Sequence, residues 1–335
     1  MKRSVLSLIY LLQGMRKIDM QIDDRLQHVG IQIDAIDPSA VIHPSLEHDI
    51  LQHAVTDLAP IMGLKIGQHY ALMGYGPLLM LLVTSPTVHE ALTQVLRFQD
   101  LTHLTGKLSV HTQGERVGLC YLPHNLNDDV NRLVALAEIS GTYKFIRDIY
   151  KMMGLSEPDI QLTLPMNLPR DADELSMYQR YYGEHVQFDA DQAIFLLDQA
   201  VLELKIPSAD QATFDRYEEK CLHELNRLHA DDELPILVQR VQGYLALQVG
   251  TMPTMAETAV ALNIPERTLR HQLQQFETSY KQIREKIIQD KALHLIEYKE
   301  YTLEMIAELL GYSEPAAFNH AFKRWFGLSP RQYLK

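Results

Sequence analysis

Two short stretches near the end of this 335-residue chain space basic and amide side chains as a duplex reader would. In "PERTLRHQLQQF", residues 265–276, Leu269, Leu273 and Phe276 fall at i, i+4 and i+7 and predict a buried face, leaving Arg267, Arg270, His271 and Gln274 outward. In "EPAAFNHAFKRWF", residues 314–326, Phe318, Ala321, Phe322 and Trp325 predict the inner face, and Ala316, Asn319, His320, Lys323 and Arg324 the outer one. A small, then polar, then basic surface of this kind suits a major groove. Arg270 fits a guanine edge, asparagine can pair with adenine, histidine can donate to guanine or phosphate, and the cations Lys323 and Arg324 suit phosphates. For Asn319 and Gln274, base contact and ordinary solvated surface stand as equal alternatives.

Such helices need partners that fix their angle. Before the second, "LEMIAELLG" places Leu303, Ile306, Ala307 and Leu310 on one face. Gly311 supplies a left-handed end, Ser313 is expected to cap the next helix, and Pro315 is tolerated in its first turn. Gly327 and Pro330 close the element. Before the first, Thr254 and Glu257 have capping-box spacing, Met255, Ala259 and Leu262 form the inner face, and Asn263 stands where glycine stood. The segment Tyr280 to Tyr298 reads as one helix with Ile283, Ile287 and Ala292 inward. It would span about 28 Å, against about 34 Å between major grooves on one side of a duplex. Apolar stripes are usually plain core, but two such units with basic outer faces and a linker of this length point to DNA.

The residues from about Leu234 to Lys335 resemble the DNA-binding domain of the AraC/XylS family of bacterial transcription regulators, most specifically in "IAELLGYSEPAAFNHAFKRWFGLSPRQY" and in the distance from Ala292 to Ala307. The resemblance implies two recognition helices on one DNA face, with Arg267, Arg270 and His271 in the first and Ala316, Asn319 and His320 in the second. Two positions depart from the family pattern. Pro265 replaces a capping serine, and Ile288 stands where an arginine often precedes Ala292. Residues 67–101 and 181–202 resemble the front domain of the ornithine-utilisation-regulator-like branch, which carries an arabinose-binding label. That implies a regulator answering to a small organic effector.

The charge is consistent with this division. Residues 1–235 hold 19 basic and 33 acidic side chains, −14, whereas residues 236–335 hold 12 and 10, +2. Net charge sets long-range steering, and a local basic face still meets phosphate within a Debye length. The opening "MKRSVLSLIYLLQGM" has basic residues before a short apolar run, but it lacks a cleavage-site pattern and leads into Arg16 and Lys17, so an amphipathic helix is expected and not a secretory signal. No stretch approaches the roughly 20 apolar residues of a membrane span.

The front part reads as α+β, with helices over Val5–Lys17, Leu46–Met62, Thr87–Gln99 and Val130–Met152 and a hairpin from Leu108 to Leu122 about Gly114. A pocket behind Tyr75, Leu79, Phe98 and Leu101 would be apolar, though such positions are more often core, and no effector-binding residue can be named. His43, His48 and His53 recur every five residues and fan around a helix, so no metal is expected, and "GYG" at 74–76 lacks a nucleotide fingerprint, so no cofactor is expected either. From Ala209 to His229, Phe214, Tyr217, Cys221, Leu225 and Leu228 form a seam that can pair with its copy in a homodimer or pack on its own domain.

The expected organisation is an α+β sensor domain over 1–207, a connector over 208–232 and an all-α domain over 233–335 with two helix-turn-helix units joined by a long helix. The expected function is a cytoplasmic, effector-responsive activator with duplex DNA, RNA polymerase and a small organic effector as partners. A regulator governed by a protein partner is one rival. A DNA-repair alkyltransferase is the other, since this DNA-binding unit also occurs beside such chemistry, but it would need an activated cysteine and a metal cluster, and Cys120 and Cys221 are isolated.

Overall fold

The computed structural model describes residues 2–38, 40–55, 58–229, 233–297 and 301–333. They form two compact units, one of Leu6–Ile22 with Val55–Ala230, the other of Met1–Val5 and Asp23–Ala54 with Asp231–Lys335. The fold class is the expected one, an α+β front part followed by helix-turn-helix units.

In the first unit, α1 (Leu6–Lys17) and α2 (Met62–Gly67) precede α3 (Pro77–Val83) and α4 (Val88–Arg97). The helix expected over Leu46–Met62 is two helices, Pro44–Ala54 and α2, in different units. Pro60 lies between them, and proline disfavours helical backbone in the residue before it. The hairpin is β1 (Lys107–Gln113) and β2 (Arg116–Leu122), turning at Gly114 with φ +60°. Two strands absent from the sequence reading, β3 (Gln161–Thr163) and β4 (Ala193–Asp198), extend it into an antiparallel sheet of order β1-β2-β4-β3. Leu108 pairs with Tyr121, and Val117 with Leu197.

The long helix α5 (Asp129–Met152) is capped by Asp128, whose side chain accepts from the Asn131 N–H, and it packs against α2. Gly63 and Gly67, one turn apart, make that approach possible: a Cβ at either would lie 2.2 Å from a carbonyl oxygen of α5, Leu133 or Ala137. The connector helix α6 (Gln211–His229) lays Phe214, Cys221 and Leu228 into the unit's core beside α3. Arg97 pairs with Glu218, and His229 with Asp100 at 3.0 Å. Three of the five seam residues are thus spent inside the chain. The other two seam residues, Tyr217 and Leu225, are half-buried.

In the second unit, α7 (Ile236–Leu247) packs on the helix Pro44–Ala54 and on strand Val41–Ile42, which pairs with Arg3–Ser4. The Tyr244 hydroxyl donates to the Val29 carbonyl at 3.1 Å. Arg240 joins Asp49 to this helix and donates to the Leu262 carbonyl at 3.1 Å. The helices α8 (Met255–Ala261), α9 (Glu266–Gln275), α10 (Tyr280–Glu297), α11 (Leu303–Leu309) and α12 (Pro315–Phe326) complete it. The expected last residue of the linker helix, Tyr298, lies outside the described residues.

Candidate nucleic-acid interface

Each recognition helix is set by the helix before it. At the start of α8 the Thr254 side chain accepts the Glu257 N–H at 3.2 Å and Glu257 accepts the Thr254 N–H at 2.7 Å, closing the expected capping box. Ala259 and Leu262 are buried, and Met255 half-buried. Asn263 then adopts φ +54°, a left-handed conformation that asparagine tolerates better than most side chains. Pro265 is the N-cap of α9 and gives no side-chain bond.

The second unit repeats the plan. Thr302 caps α11 by accepting the Met305 N–H at 3.2 Å, and Ile306, Ala307 and Leu310 are buried. Gly311 turns the chain at φ +77°. A Cβ there would meet the Gly250 carbonyl oxygen at 2.5 Å, so both conformation and space require glycine. The cap of α12 is Glu314 and not Ser313, and it makes no side-chain bond. Pro315 occupies the first helical position, where its missing N–H is harmless. Gly327 ends the helix at φ +77°, and Pro330 opens the short helix Pro330–Tyr333. Behind α12, Phe322 contacts Phe318, Phe326 and Tyr333 with ring centroids 5.8, 4.5 and 5.7 Å apart.

On α9, Arg267, Arg270, His271 and Gln274 are exposed on one side, while Leu269 and Leu273 are buried on the other. Phe276, expected inside, is 43 % exposed. It is the C-cap, and Glu277 after it turns left-handed at φ +54°, carrying the stripe off the core. Arg270 donates to Glu266 at 2.6 Å, an i,i+4 pair across an open face that water and salt weaken. His271 Nε2 lies 3.3 Å from the Gln275 amide nitrogen.

On α12, Ala316, His320, Lys323 and Arg324 are exposed. Asn319 is half-buried, and its amide donates to the Pro315 carbonyl at 3.0 Å, which commits one N–H to its own helix. Trp325 is half-buried, and its indole N–H donates to Glu285 of α10 at 2.8 Å. Arg324 reaches the same carboxylate oxygen at 2.9 Å and lies 5.9 Å from the Trp325 ring centroid. Those two donors hold the Glu285 carboxyl below the usual glutamate range, with the indole bond the larger cause. Glu285 is the residue that the sequence reading missed.

The linker α10 packs on α7, α11 and α12. Its buried residues are Ile283, Ile288, Ala292 and Ile296, so Ile288 and not the half-buried Ile287 faces inward. Lys291 donates to Asp37 at 3.0 Å and to the Gln248 carbonyl at 2.7 Å. The first turn is anchored by Tyr280, whose hydroxyl donates to the Pro253 carbonyl at 2.6 Å. At 18 residues, α10 is about 27 Å long.

Away from these helices, the other unit holds an apolar cavity of about 110 Å³. Tyr75 lines it as expected, but Leu79, Phe98 and Leu101 do not. Leu78 and Leu82, one turn apart on α3, present that face, and Leu79 is rotated into the core. Among the described residues no cluster of His, Cys, Asp and Glu could hold a metal, and no helix is long and apolar enough to cross a membrane. Cys120 and Cys221 are buried free thiols, and burial pushes Cys221 up to about 12, far from a reactive thiolate.

Two capped helix-turn-helix units bearing exposed basic faces define a DNA-binding protein. The arabinose-binding domain of AraC transcription regulators matches residues 20–206, and a helix-turn-helix domain matches residues 258–335. The first match covers more than half of the chain, which belongs to the AraC family of transcription regulators. Among its relatives, the HTH-type transcriptional regulator VqsM of Pseudomonas aeruginosa is 26 % identical over 277 residues, 81 % of this chain and 82 % of its own. The ornithine utilization regulator of Pseudomonas aeruginosa is 22 % identical over 278 residues, 82 % of this chain and 78 % of its own. The crystal structure of the transcriptional regulator CdpR from Pseudomonas aeruginosa aligns over 97 % of this chain and 98 % of its own, with 23 % identity and a TM-score of 0.45. The chain is thus a DNA-binding transcription regulator and not an enzyme.

Proposed function

We propose that the chain is an effector-responsive activator acting in the cytoplasm, and that α9 and α12 enter adjacent major grooves on one side of its operator. The observation that carries this reading is the α10 linker: about 27 Å of helix joins two units, each ending in an exposed basic helix. In this reading Arg267, Arg270 and His271, with Gln274, meet the first groove. Ala316, Asn319 and His320 meet the second, while Lys323 and Arg324 take phosphates. Asn319 would reach a base only through the part of its amide that Pro315 leaves free.

Effector control and contact with RNA polymerase belong to the same reading, since an activator must bias one of two states by differential affinity. The apolar cavity favours a small molecule over a protein as the controlling signal. A homodimer through α6 belongs to the same reading, using the half-buried Tyr217 and Leu225 of that helix, and sedimentation at micromolar concentration with and without DNA checks it. Methylation interference on the promoter beside the gene tests the groove assignment. Two guanine-N7 tracts about 34 Å apart on one face are expected; a single tract would show that only one unit reads DNA.

A further inference from the structure

The cavity of about 110 Å³ has an unusual division of labour among its lining groups. Its polar lining residues are Tyr75, Thr102, His103, Thr142 and Tyr150, and no Asp, Glu, Lys or Arg is among the residues that line it. His103 is 3 % exposed, and both of its nitrogens are engaged. Its Nε2 lies 3.3 Å from the Glu138 carbonyl, which can only accept, so Nε2 carries the proton and Nδ1 accepts from the Tyr75 hydroxyl. Thr142 gives its own proton to the Glu138 carbonyl at 2.8 Å. Thr102 gives its proton to the Gln99 carbonyl at 2.6 Å.

With those protons committed, Tyr75 and Thr142 offer the cavity oxygen lone pairs, and Tyr150 is the remaining hydroxyl of the lining. Burial drives the His103 pKa down to about 4, so the imidazole brings no charge at neutral pH. A sugar would leave several hydroxyls unpaired against apolar walls, and an amino acid would bury two charges with no counter-charge; both are costly. The volume is of the order of the roughly 150 Å³ apolar cavity known to take up benzene.

Building on the effector-responsive reading above, we propose that this cavity binds an uncharged molecule with an apolar body about the size of one ring and a single hydroxyl-type donor, and that it binds neither sugars nor amino acids. The donor is received by Tyr75 and Thr142.

Full-length protein is titrated with 4-fluorophenol and with fluorobenzene, followed by fluorine NMR, and with L-arabinose and L-ornithine, followed by calorimetry. Saturable binding of 4-fluorophenol, tighter than fluorobenzene, is expected, with no heat from arabinose or ornithine. Ala91→Phe, which fills the cavity, should weaken 4-fluorophenol at least tenfold. Should that variant not fold, Ile149→Trp serves from another helix of the lining, α5. Tyr75→Phe should bring the two fluorinated probes to similar affinity. The proposal is overturned if arabinose or ornithine binds while 4-fluorophenol does not, or if a folded Ala91→Phe protein keeps its 4-fluorophenol affinity. DNA affinity measured with and without saturating 4-fluorophenol decides the regulatory reading separately. An unchanged affinity alongside cavity binding would retire effector control of DNA binding by this site and leave the binding chemistry standing.

Discussion

Glu285 on the linker helix accepts the Trp325 indole N–H at 2.8 Å, tying the second recognition helix to the element that spaces it from the first. The same carboxylate oxygen holds Arg324 at 2.9 Å, so one acidic side chain both orients the helix and occupies a cation assigned to phosphate. Glu285→Ala should cost about 1 kcal/mol of stability, the size of one hydrogen bond partly open to water. It should also free Arg324 and steepen the salt dependence of DNA binding by about one phosphate contact. Because folding lowers this carboxyl, its contribution is present above the ordinary glutamate range and is lost as pH falls through the lower folded value. Melting curves and a salt series on the variant check each part.

The two basic helices should fail differently. Arg270→Ala is expected to cost roughly 1–3 kcal/mol on the operator and to relax base preference there. Lys323→Ala should weaken operator and random DNA alike and flatten the salt slope by about 1. Equal losses for both variants on both DNAs would show that Arg270 also contacts backbone.

The left-handed positions predict opposite signs. Glu277, at φ +54° after α9, corresponds to Gly327 at φ +77° after α12. Since a left-handed side chain costs about 1–2 kcal/mol and glycine gives back about 0.5–1 kcal/mol in chain entropy, Glu277→Gly should stabilise by up to about 1 kcal/mol. Gly311→Ala should destabilise by at least about 1–2 kcal/mol, from its φ of +77° alone, before the contact with Gly250 is added. Chemical denaturation of both variants measures this.

Acid should loosen the cavity-bearing unit through His103. In the unfolded chain this imidazole titrates near 6.5, and in the fold near 4. Between those values the unfolded chain binds the extra proton, so stability falls as pH drops from about 6.5 to about 4, by roughly 3 kcal/mol in all. His103→Gln should flatten that part of the profile, as melting against pH would reveal.

Residues 23–54 should prove part of the DNA-binding unit. A fragment of residues 233–333 lacks the strand Val41–Ile42 and the helix Pro44–Ala54 on which α7 packs, as well as the Val29 and Asp37 partners of Tyr244 and Lys291. Its α7 amides should exchange far faster than in the full chain. Tyr244→Phe in the full chain should cost about 1 kcal/mol.

The sequence exposed those parts of the interface that are coded locally. The box of Thr254 and Glu257, the left-handed Asn263 and Gly311, and the stripes of α9 and α12 are all set within a turn or two. Errors arise where a stripe meets a break in geometry. Phe276 continues the period of α9 but sits where the helix ends, and the buried steps of α10 run 283, 288, 292 and 296, shifting the inner face from Ile287 to Ile288. Glu285 was hidden because its partners are 39 and 40 positions away. The same holds for β3 and β4, short strands whose pairing is distant, and for the cavity, where composition shows that Leu78 and Leu79 are apolar but not which of them faces the void.

The DNA-binding unit draws on Met1–Val5 and Asp23–Ala54 as well as Asp231–Lys335. On a ribosome its first portion emerges long before α7, its packing surface, is made. At about 5–20 residues per second the helix Pro44–Ala54 waits roughly 10–40 s for that partner. The other unit, which closes by Ala230, can condense in the meantime. The packing that supports the recognition helices is therefore completed only after α7 has been made, long after its partner strand and helix.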